Sequence, residues 1–404
     1  MSLTNQYIFI LGTTKFDHQF ESTSFTIAKH LAKDNFVFYV ENPFTWKDYF
    51  KLKGTTEFSK RKKYFSSRCN GLLSTEIEKL KIVITPPLLS INFLPEGKIY
   101  RLLLSINEGI IAKRIKKIAK ELAIEEMIYI NSFNFHYPDV ARTLKPRLKV
   151  YHSVDPLIVS FDTRHGIISE KQIVTESDLV VCTSRKLHEE KQQLNKNTFF
   201  IPNAADISLS KKALEDDVEI YEGLVNLKKP IIGYFGNIER RLDFELLKEV
   251  AEKNPDKSFV FAGPISQEFV PEWFFKTSNV FTLGRIAYEH LPSVLKGFDI
   301  ALIPFKRDEV SATIFPLKLF EYLGAGKPVV TTNFNLDLKE FTGDTVRFCE
   351  DSETFSRAIN EELDLDSQTK IAERLRIAGN NTWAIRGEEF SNLLEQNLIK
   401  NSNS

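Results

Sequence analysis

The sequence has few cysteines and no long apolar run, and both features limit the class of protein. The three cysteines among its 404 residues, Cys69, Cys182 and Cys349, are far apart and fit neither a disulfide framework nor a zinc-binding spacing. They indicate a reducing compartment, so we expect a cytoplasmic protein. No stretch of 18 apolar residues occurs, which excludes a predicted membrane span. The first apolar segment, YIFIL, is too short for a signal-peptide core and lacks a basic flank, so it predicts a strand.

Neither sign of charge is in excess, but the two halves of the chain differ. Lys and Arg number 54, as do Asp and Glu. Residues 1–205 contain 30 basic and 21 acidic side chains, a net charge of +9, whereas the remainder contains 24 and 33, a net charge of −9. A basic half joined to an acidic half predicts a surface partner for the basic one.

Length and pattern predict two α/β domains. A chain of this length suits two domains of about 200 residues each, and its 33 Phe and 12 Tyr can fill two cores. Apolar runs alternate with helix-length amphipathic segments, which is typical of parallel sheets covered by helices. The predicted strands are Tyr7–Leu11, Phe36–Val40, Lys81–Thr85, Met127–Ile130, Leu148–Tyr151, Leu179–Cys182, Phe199–Ile201, Ile231–Phe235, Phe259–Ala262, Val280–Leu283, Ile300–Ile303, Val329–Thr331 and Val346–Cys349.

The stretch SATIFPLKLFEYLGAGKPVVTT, residues 311–332, carries the strongest functional signal. Pro316 suits the first position of a helix, and the unpaired N–H groups that follow, including that of Leu319, attract a phosphate. Lys318 adds a full positive charge at the same end. Glu321 lies about one turn further on the same face, where its carboxylate can accept hydrogen bonds from a ribose diol. The alternative is an ordinary surface Lys–Glu pair.

This stretch resembles the donor-site helix of the GT-B glycosyltransferases, near the large family 4. Two more segments, IIGYFGNIERRLDFELLKEVA (231–251) and NVFTLGRIAYEHLPSVLKGFDIALIPF (279–305), resemble the same half of those enzymes, in the same order. Many family 4 members have a further glutamate eight residues before the second one, and Thr313 stands at that position here. The resemblance implies a GT-B fold, in which two Rossmann-like, doubly wound parallel-sheet domains face a central cleft, and a nucleoside-diphospho-sugar as donor. It also implies that the C-terminal helix returns to the N-terminal domain.

The resemblance also implies which other residues bind the donor. Gly236 and Asn237 form a tight turn after a strand, where the backbone can approach a phosphate closely. Arg241 is preferred over Arg240 for the diphosphate, although either alone suits a solvated helix start. Arg285 and Ile286, in GRIAYEHLP, are expected against the nucleotide base, and Thr313 also borders the donor.

Four residues of the first half are candidates for the base that activates the acceptor hydroxyl. Asp17 and His18 lie in the loop after the first strand, where open α/β sheets place ligands, or they are only solvated loop residues. Asp155 matches the aspartate that related transferases place at the end of a strand, with His152 as its neighbour; the alternative is an Asp that caps the next turn. Asp155 is preferred because a strand end is held more rigidly than a loop.

Two segments combine basic with apolar residues. Residues 44–68 interleave aromatics with eight Lys or Arg, and residues 98–120 contain seven Lys or Arg with isoleucines near one helical face. Such segments suit an anionic membrane surface, but a core helix or a nucleic-acid patch remain alternatives. Because related transferases often use lipid-linked acceptors, we expect a peripheral membrane association, on the cytoplasmic face, and no nucleic-acid partner.

The remaining segments complete the predicted organisation. Residues 1–205 form the acceptor domain, 206–229 a polar linker, 230–380 the donor domain, and 381–404 the returning helix, with Trp383 packed at its start. The DLD at 364–366 is interpreted as a solvated connector, so no metal site and no cofactor are expected; UDP- or GDP-sugar is the expected substrate. We therefore predict a metal-independent glycosyltransferase of cell-surface polysaccharide biosynthesis. A nucleotide-sugar 2-epimerase and a catalytically silent partner subunit remain the alternatives.

Overall fold

A computed structural model describes residues 3–17, 22–157 and 160–402 and shows an α/β protein with two compact units. The first unit comprises residues 1–202 and 386–404, and the second comprises residues 203–385. Each unit contains one mainly parallel sheet covered by helices. The predicted fold class is therefore confirmed.

The first unit is built on an eight-stranded sheet in the order β3-β4-β2-β1-β5-β6-β7-β8. Neighbouring strands are parallel except for the β3–β4 pair. The strands are β1 Tyr7–Gly12, β2 Phe36–Val40, β3 Leu72–Ser74, β4 Leu80–Val83, β5 Ile128–Ser132, β6 Leu148–Ser153, β7 Leu179–Cys182 and β8 Thr198–Phe200. The helices are α1 Thr23–Leu31, α2 Trp46–Lys51, α3 Thr56–Arg61, α4 Lys98–Glu121, α5 Val140–Leu144, α6 Ser160–Glu176 and α7 Arg185–Gln192.

The seven predicted strands of this unit are present, with ends shifted by at most two residues. Strand β3 escaped prediction because it has three residues and pairs antiparallel at the sheet edge, too short to show a period. Strands β1 and β2 are almost completely buried, as expected for continuous apolar runs in a parallel sheet. Strand β1 lies between β2 and β5, at the switch point where the order of the strands reverses. The loop after β1 therefore lies at the carboxyl edge of the sheet, beside this switch point.

The second unit contains a six-stranded parallel sheet in the order β11-β10-β9-β12-β13-β14. The strands are β9 Ile231–Phe235, β10 Ser258–Ala262, β11 Val280–Gly284, β12 Ile300–Ile303, β13 Val329–Thr332 and β14 Val346–Cys349. The helices are α8 Ile207–Ser210, α9 Glu222–Val225, α10 Phe244–Lys253, α11 Trp273–Lys276, α12 Leu291–Gly297, α13 Leu317–Gly324, α14 Asp337–Thr342, α15 Ser352–Leu365 and α16 Gln368–Asn380. Helix α17, Trp383–Ser402, follows.

Most of helix α17 belongs to the first unit, in agreement with the predicted return of the C-terminal helix. Its Phe390 ring packs 5.3 Å from the ring of His152, and the N–H of Leu3 donates to the hydroxyl of Ser391. Gly387 lies so close to α1 that an added Cβ would come within 2.6 Å of His30 Cβ. Trp383, at the start of the helix, is buried.

Residues 206–229, predicted as a polar linker, are instead part of the second unit. They form two short α-helices and a 3₁₀ turn, and Ala213 and Leu224 enter the unit's core. The polar residues of this segment form its outer face, whereas two apolar side chains anchor it in the core of the unit. In the described part of the chain, no helix combines the length and the apolar content that crossing a membrane requires.

Candidate functional site

Helix α13 places the P-x-K-x-x-E residues at the carboxyl edge of the second sheet. Pro316 is the N-cap residue, with φ −77° and ψ 124°, and not the first helical residue that the sequence predicted. The first-turn N–H groups of Leu317 and Lys318 have no carbonyl one turn earlier, whereas that of Leu319 donates to Pro316 O at 3.2 Å. The helix therefore begins with backbone N–H groups that have no acceptor within the helix.

The far end of α13 and one tyrosine fix the helix against the sheet. Gly326 has φ +71°, and its N–H and that of Lys327 donate to Leu323 O and Tyr322 O, so the helix ends in a left-handed cap. Tyr322 Oη accepts the N–H of Phe235 at 2.8 Å and donates to Phe235 O at 3.1 Å. The last residue of β9 is thus tied to α13 by both of its backbone groups. This tyrosine was missed in the sequence, although a buried phenol usually has a hydrogen-bond partner.

Lys318 lies in an aromatic niche at this edge. Its Nζ donates to Tyr234 Oη at 2.6 Å, and it lies 4.0 Å from the centre of the Tyr234 ring and 5.3 Å from that of Phe305. Burial, with the nearby positive charge of Arg241, lowers the pKa of Lys318 to about 7. Tyr234 Oη in turn donates to Asn237 O at 2.9 Å. Tyr234 is a second residue that the sequence analysis missed; its signal was a tyrosine inside the buried strand IIGYF.

The turn after β9 comes directly against the lysine. Gly236 has φ +148°, and a Cβ added there would lie 2.3 Å from Lys318 Nζ. Gly263, after the neighbouring strand, has φ +149°, and its added Cβ would lie 2.0 Å from Gly236 O. Both positions therefore require glycine, for backbone conformation as well as for space. The structure brings Gly236 and Asn237 to Lys318, as the prediction of a shared phosphate site requires.

Arg241 is also near, since its charge acts on both Lys318 and Tyr234. Its Nε bonds to a carboxylate oxygen of Glu239, a partner that the sequence analysis did not consider. The carbonyl of Arg241 accepts the N–H of Lys306 at 2.8 Å, which holds this loop to the segment after β12. A half-exposed guanidinium, paired with Glu239, thus lies close to Lys318 and to the start of α13.

Glu321 faces the loop that was expected to contact the base. The hydroxyl of Tyr288 donates to Glu321 Oε1 at 2.5 Å. Tyr288 follows Arg285, which is exposed, and Ile286, which packs partly against the core. The geometry therefore joins the GRIAYEH loop and helix α13 through one phenol, a connection that sequence spacing could not show.

Two residues that were predicted to contact the donor are buried, and their side chains bond or pack within the protein. Thr313 is buried in a 3₁₀ turn, and its hydroxyl donates to Val310 O at 2.7 Å. The Leu319 side chain is completely buried in the core of the unit. The candidate donor site is therefore formed by Lys318, Arg241, the Gly236 turn and the start of α13, with Glu321 one turn deeper.

Asp17, a candidate base in the first unit, is held in an ion-pair cluster. It accepts hydrogen bonds from Arg61 Nη2 at 2.5 Å and Lys60 Nζ at 3.0 Å. Arg61 is completely buried and also binds Glu41, at 2.6 and 2.9 Å. Burial opposes ionisation of Asp17, but the two cations lower its pKa to about 2. Such a carboxylate is a weak proton acceptor, so its position suits anchoring the loop. His18 lies outside the described residues.

The other candidates lie at the end of β6. His152 is buried, its Nδ1 is 3.1 Å from the hydroxyl of Ser132, and burial lowers its pKa to about 4. It is a neutral core histidine. Asp155 is exposed, and because β6 ends at Ser153 it lies in the bend beyond the strand and not at its end. The argument that Asp155 is held rigidly at the end of a strand is therefore wrong, but its carboxylate is exposed and stays a candidate.

The basic segments divide into structural and exposed residues. Ile111, Ile115 and Ile118 of α4 are in the core, as one of the alternatives anticipated. Arg114 is buried and donates to the carbonyls of residues 64, 66 and 69, and Lys117 donates to Ser67 O at 3.1 Å. These two cations hold the preceding segment in place.

Exposed apolar side chains occur on three neighbouring elements: α2, the loop of residues 88–94 and the first half of α4. Backbone and side-chain bonds connect them, from Trp46 N to Leu88 O and from Leu89 N to Asn107 Oδ1. We name this the apolar–basic surface; its exposed members are Trp46, Lys47, Phe50, Lys51, Lys53, Phe93, Lys98, Ile99, Leu102 and Ile106.

Carboxylates that could hold a metal ion are not grouped in the described ranges. Among residues 3–17, 22–157 and 160–402, no three His, Cys, Asp or Glu side chains converge on a cation site. The DLD segment ends α15, and Asp366 forms an ion pair with Arg374 at 2.5 Å, so it is tied to α16 rather than being a free connector.

Part of the chain is similar to a known family and to two curated proteins. Residues 229–364 match the family described as glycosyl transferases group 1. The chain is 30% identical over 172 residues to TuaH of Bacillus subtilis, named as a teichuronic acid biosynthesis glycosyltransferase, covering 41% of this chain and 43% of the relative. It is 29% identical over 152 residues to WcaI of Escherichia coli, named as a colanic acid biosynthesis glycosyl transferase, covering 35% and 37%. The alignment thus spans less than half the length of either relative.

Solved structures resemble the whole chain. Sucrose-phosphate synthase from Thermosynechococcus elongatus superposes with a TM-score of 0.67 at 14% identity, covering 98% of this chain and 100% of that one. HepE of Anabaena in complex with UDP gives a TM-score of 0.63 at 15% identity, covering 97% and 100%. At these identities the likeness shows the fold. The protein therefore has the GT-B fold, and its residues 229–364, which include Lys318 and Glu321, match the family of group 1 glycosyl transferases.

Proposed function

We propose that the protein transfers a sugar from a nucleoside-diphospho-sugar, with UDP or GDP as nucleotide, to a hydroxyl of a glycan or lipid-linked glycan. The assignment of the donor rests on one observation: Lys318, the Gly236 turn and the start of α13 lie together at one edge of the sheet. A diphosphate there would meet backbone N–H groups, an amine and a guanidinium together. The family match and the UDP complex of HepE support this assignment.

The same groups supply the chemistry expected of a donor site. As the bond to the anomeric carbon breaks, negative charge accumulates on the diphosphate, and fixed positive groups lower the energy of that state. Lys318, Arg241 and the helix start supply this stabilisation without a role for a metal ion. Glu321 would accept hydrogen bonds from the ribose hydroxyls.

For the acceptor half, we assign the first unit and propose Asp155 as the base of an inverting reaction. An acceptor hydroxyl needs a proton acceptor while the new bond forms. Asp155 is exposed, whereas Asp17 is held by two cations and His152 is buried. The names of the two relatives support a cell-surface polysaccharide as the product class.

We further propose that the apolar–basic surface binds anionic membrane on the cytoplasmic side and so brings the enzyme to lipid-linked acceptors. Phe50, Phe93, Ile99 and Leu102 are 66–74% exposed, which is unusual for apolar side chains grouped on adjoining elements. Ile99, Leu102 and Ile106 follow a helical spacing of three and four residues, so they share one face of α4. Four exposed lysines border them, and each lysine near an anionic surface contributes about 1 kcal/mol of attraction.

Calorimetric titration with UDP and GDP tests the donor site. Lys318→Ala and Glu321→Ala should each weaken binding of the accepted nucleotide about tenfold or more, because each removes a charge-assisted hydrogen bond. Lys276 and Glu272 form an exposed i,i+4 pair in the same unit, so Lys276→Ala and Glu272→Ala are matched controls and should bind as the unaltered protein does. Unchanged affinity in both site variants would exclude this site.

Product analysis separates the rival functions. A transferase with a suitable acceptor releases the nucleoside diphosphate and yields a longer glycan. A 2-epimerase returns a nucleotide-sugar of altered configuration, and a silent subunit binds the donor without consuming it. Either of the last two results would replace the proposed reaction.

A further inference from the structure

The contact between Tyr288 and Glu321 connects two elements that would grip different parts of a nucleotide. Tyr288 begins a 3₁₀ turn of residues 288–290, immediately after the loop with Arg285 and Ile286. Glu321 lies in the second turn of α13, three residues after Lys318. The hydroxyl of Tyr288 donates a hydrogen bond to Glu321 Oε1 and so joins these two elements.

We propose that Tyr288 is a positioning residue that fixes the Glu321 carboxylate for the ribose diol and so sets the preference of the site for ribonucleotides. This inference rests on the proposed donor-binding function. A glutamate on a helix has three side-chain torsions, and the bond from Tyr288 restricts them before any ligand arrives.

Three features favour a role of Tyr288 in positioning the Glu321 carboxylate over the alternative that Tyr288 only fills the ribose site. A carboxylate offers about four lone-pair directions, and the hydroxyl of Tyr288 occupies one of them. Tyrosine has a rigid ring with few torsions, which makes its hydroxyl a defined anchor point. The Tyr288 side chain is 49% exposed, so its hydroxyl reaches the carboxylate from the solvent side and not from within the core.

The connection also makes the base and ribose contacts interdependent. Gly284, with φ +66°, ends β11, and its carbonyl accepts the N–H of Gly263 at 2.7 Å, which fixes the start of the loop. Tyr288 fixes the other end of that loop to α13. Loss of the phenol hydroxyl would therefore release both Glu321 and the segment that carries Arg285 and Ile286.

The test compares UDP with 2′-deoxy-UDP and 3′-deoxy-UDP, or the guanosine series if GDP is the accepted nucleotide. In Tyr288→Phe, affinity for the ribonucleotide should fall about tenfold, whereas affinity for at least one deoxynucleotide should fall by less, because that nucleotide loses only the contact between base and loop. The ratio of ribo- to deoxynucleotide affinity should therefore decrease. Tyr221→Phe, which removes the hydroxyl of a half-buried tyrosine in the same unit, is the control and should leave all three affinities unchanged.

A double-mutant cycle identifies the route of the effect. In a Glu321→Ala background, Tyr288→Phe should have no further effect on nucleotide affinity, because the positioned group is gone. Equal weakening for ribo- and deoxynucleotides, or tighter UDP binding in Tyr288→Phe, would overturn the positioning role. If the unaltered protein binds neither UDP nor GDP, the proposed donor function fails instead, a result distinct from either.

Discussion

The pKa of Lys318 leads to a quantitative expectation for donor binding. Burial and Arg241 lower this pKa to about 7, so the amine is half protonated at pH 7 and mostly neutral at pH 9. A bound diphosphate would favour the charged form and raise the pKa. Nucleotide binding should therefore take up a proton above pH 7, and affinity should decrease as pH rises.

The size of the effect follows from the two protonation equilibria. If the complex keeps Lys318 charged through pH 9, the dissociation constant for UDP should rise about 50-fold between pH 7 and pH 9. The terminal phosphate of UDP, with a second pKa of about 6, is already ionised over this range. Tyr234, the hydrogen-bond partner of the amine, stays neutral because burial raises its pKa far above this range.

Titration calorimetry at pH 7, 8 and 9, in two buffers of different ionisation enthalpy, measures affinity and proton uptake together. At pH 8 to 9 the unaltered protein should take up nearly one proton per UDP. Lys318→Arg keeps its charge through pH 9, so its affinity should be almost independent of pH. A flat profile in the unaltered protein, or the same slope in Lys318→Arg, would refute the assignment of the titrating group to Lys318.

Three further outcomes are expected. Asp155→Asn should reduce transfer about 10²–10⁴-fold with unchanged donor affinity; near-normal turnover would make Asp155 structural. Arg61→Met should lower the free energy of unfolding by about 3–5 kcal/mol in urea titrations, because the buried carboxylate of Glu41 loses its arginine, and a loss below 1 kcal/mol would contradict that. In vesicle sedimentation, Trp46→Ser with Phe50→Ser should reduce binding to anionic vesicles, with salt weakening what remains, whereas Phe275→Ser in the second unit should not; equal binding to neutral vesicles would argue against a basic surface.

The sequence alone determined the sheet of each unit and the helix that carries Lys318 and Glu321. Buried parallel strands are continuous apolar runs, so thirteen of them could be located from local pattern, and only the three-residue β3 escaped. The end of α13 was also predictable, since Gly326 and Pro328 act through their own backbone preferences. These features depend on residues that are neighbours in the chain, so the sequence pattern alone is enough to locate them.

The tertiary structure decided which side chains meet. Tyr234, 84 residues before Lys318, and Tyr288, 33 residues before Glu321, have partners that only the packing of strand ends and loops defines. Likewise, helical spacing could not tell whether the isoleucines of α4 face lipid or the core. The sheet buries Ile111, Ile115 and Ile118, and the exposed apolar face lies nearer the start of that helix. Burial also sets the pKa of Lys318, because the desolvation of its amine depends on the surroundings that folding creates and not on the residue type.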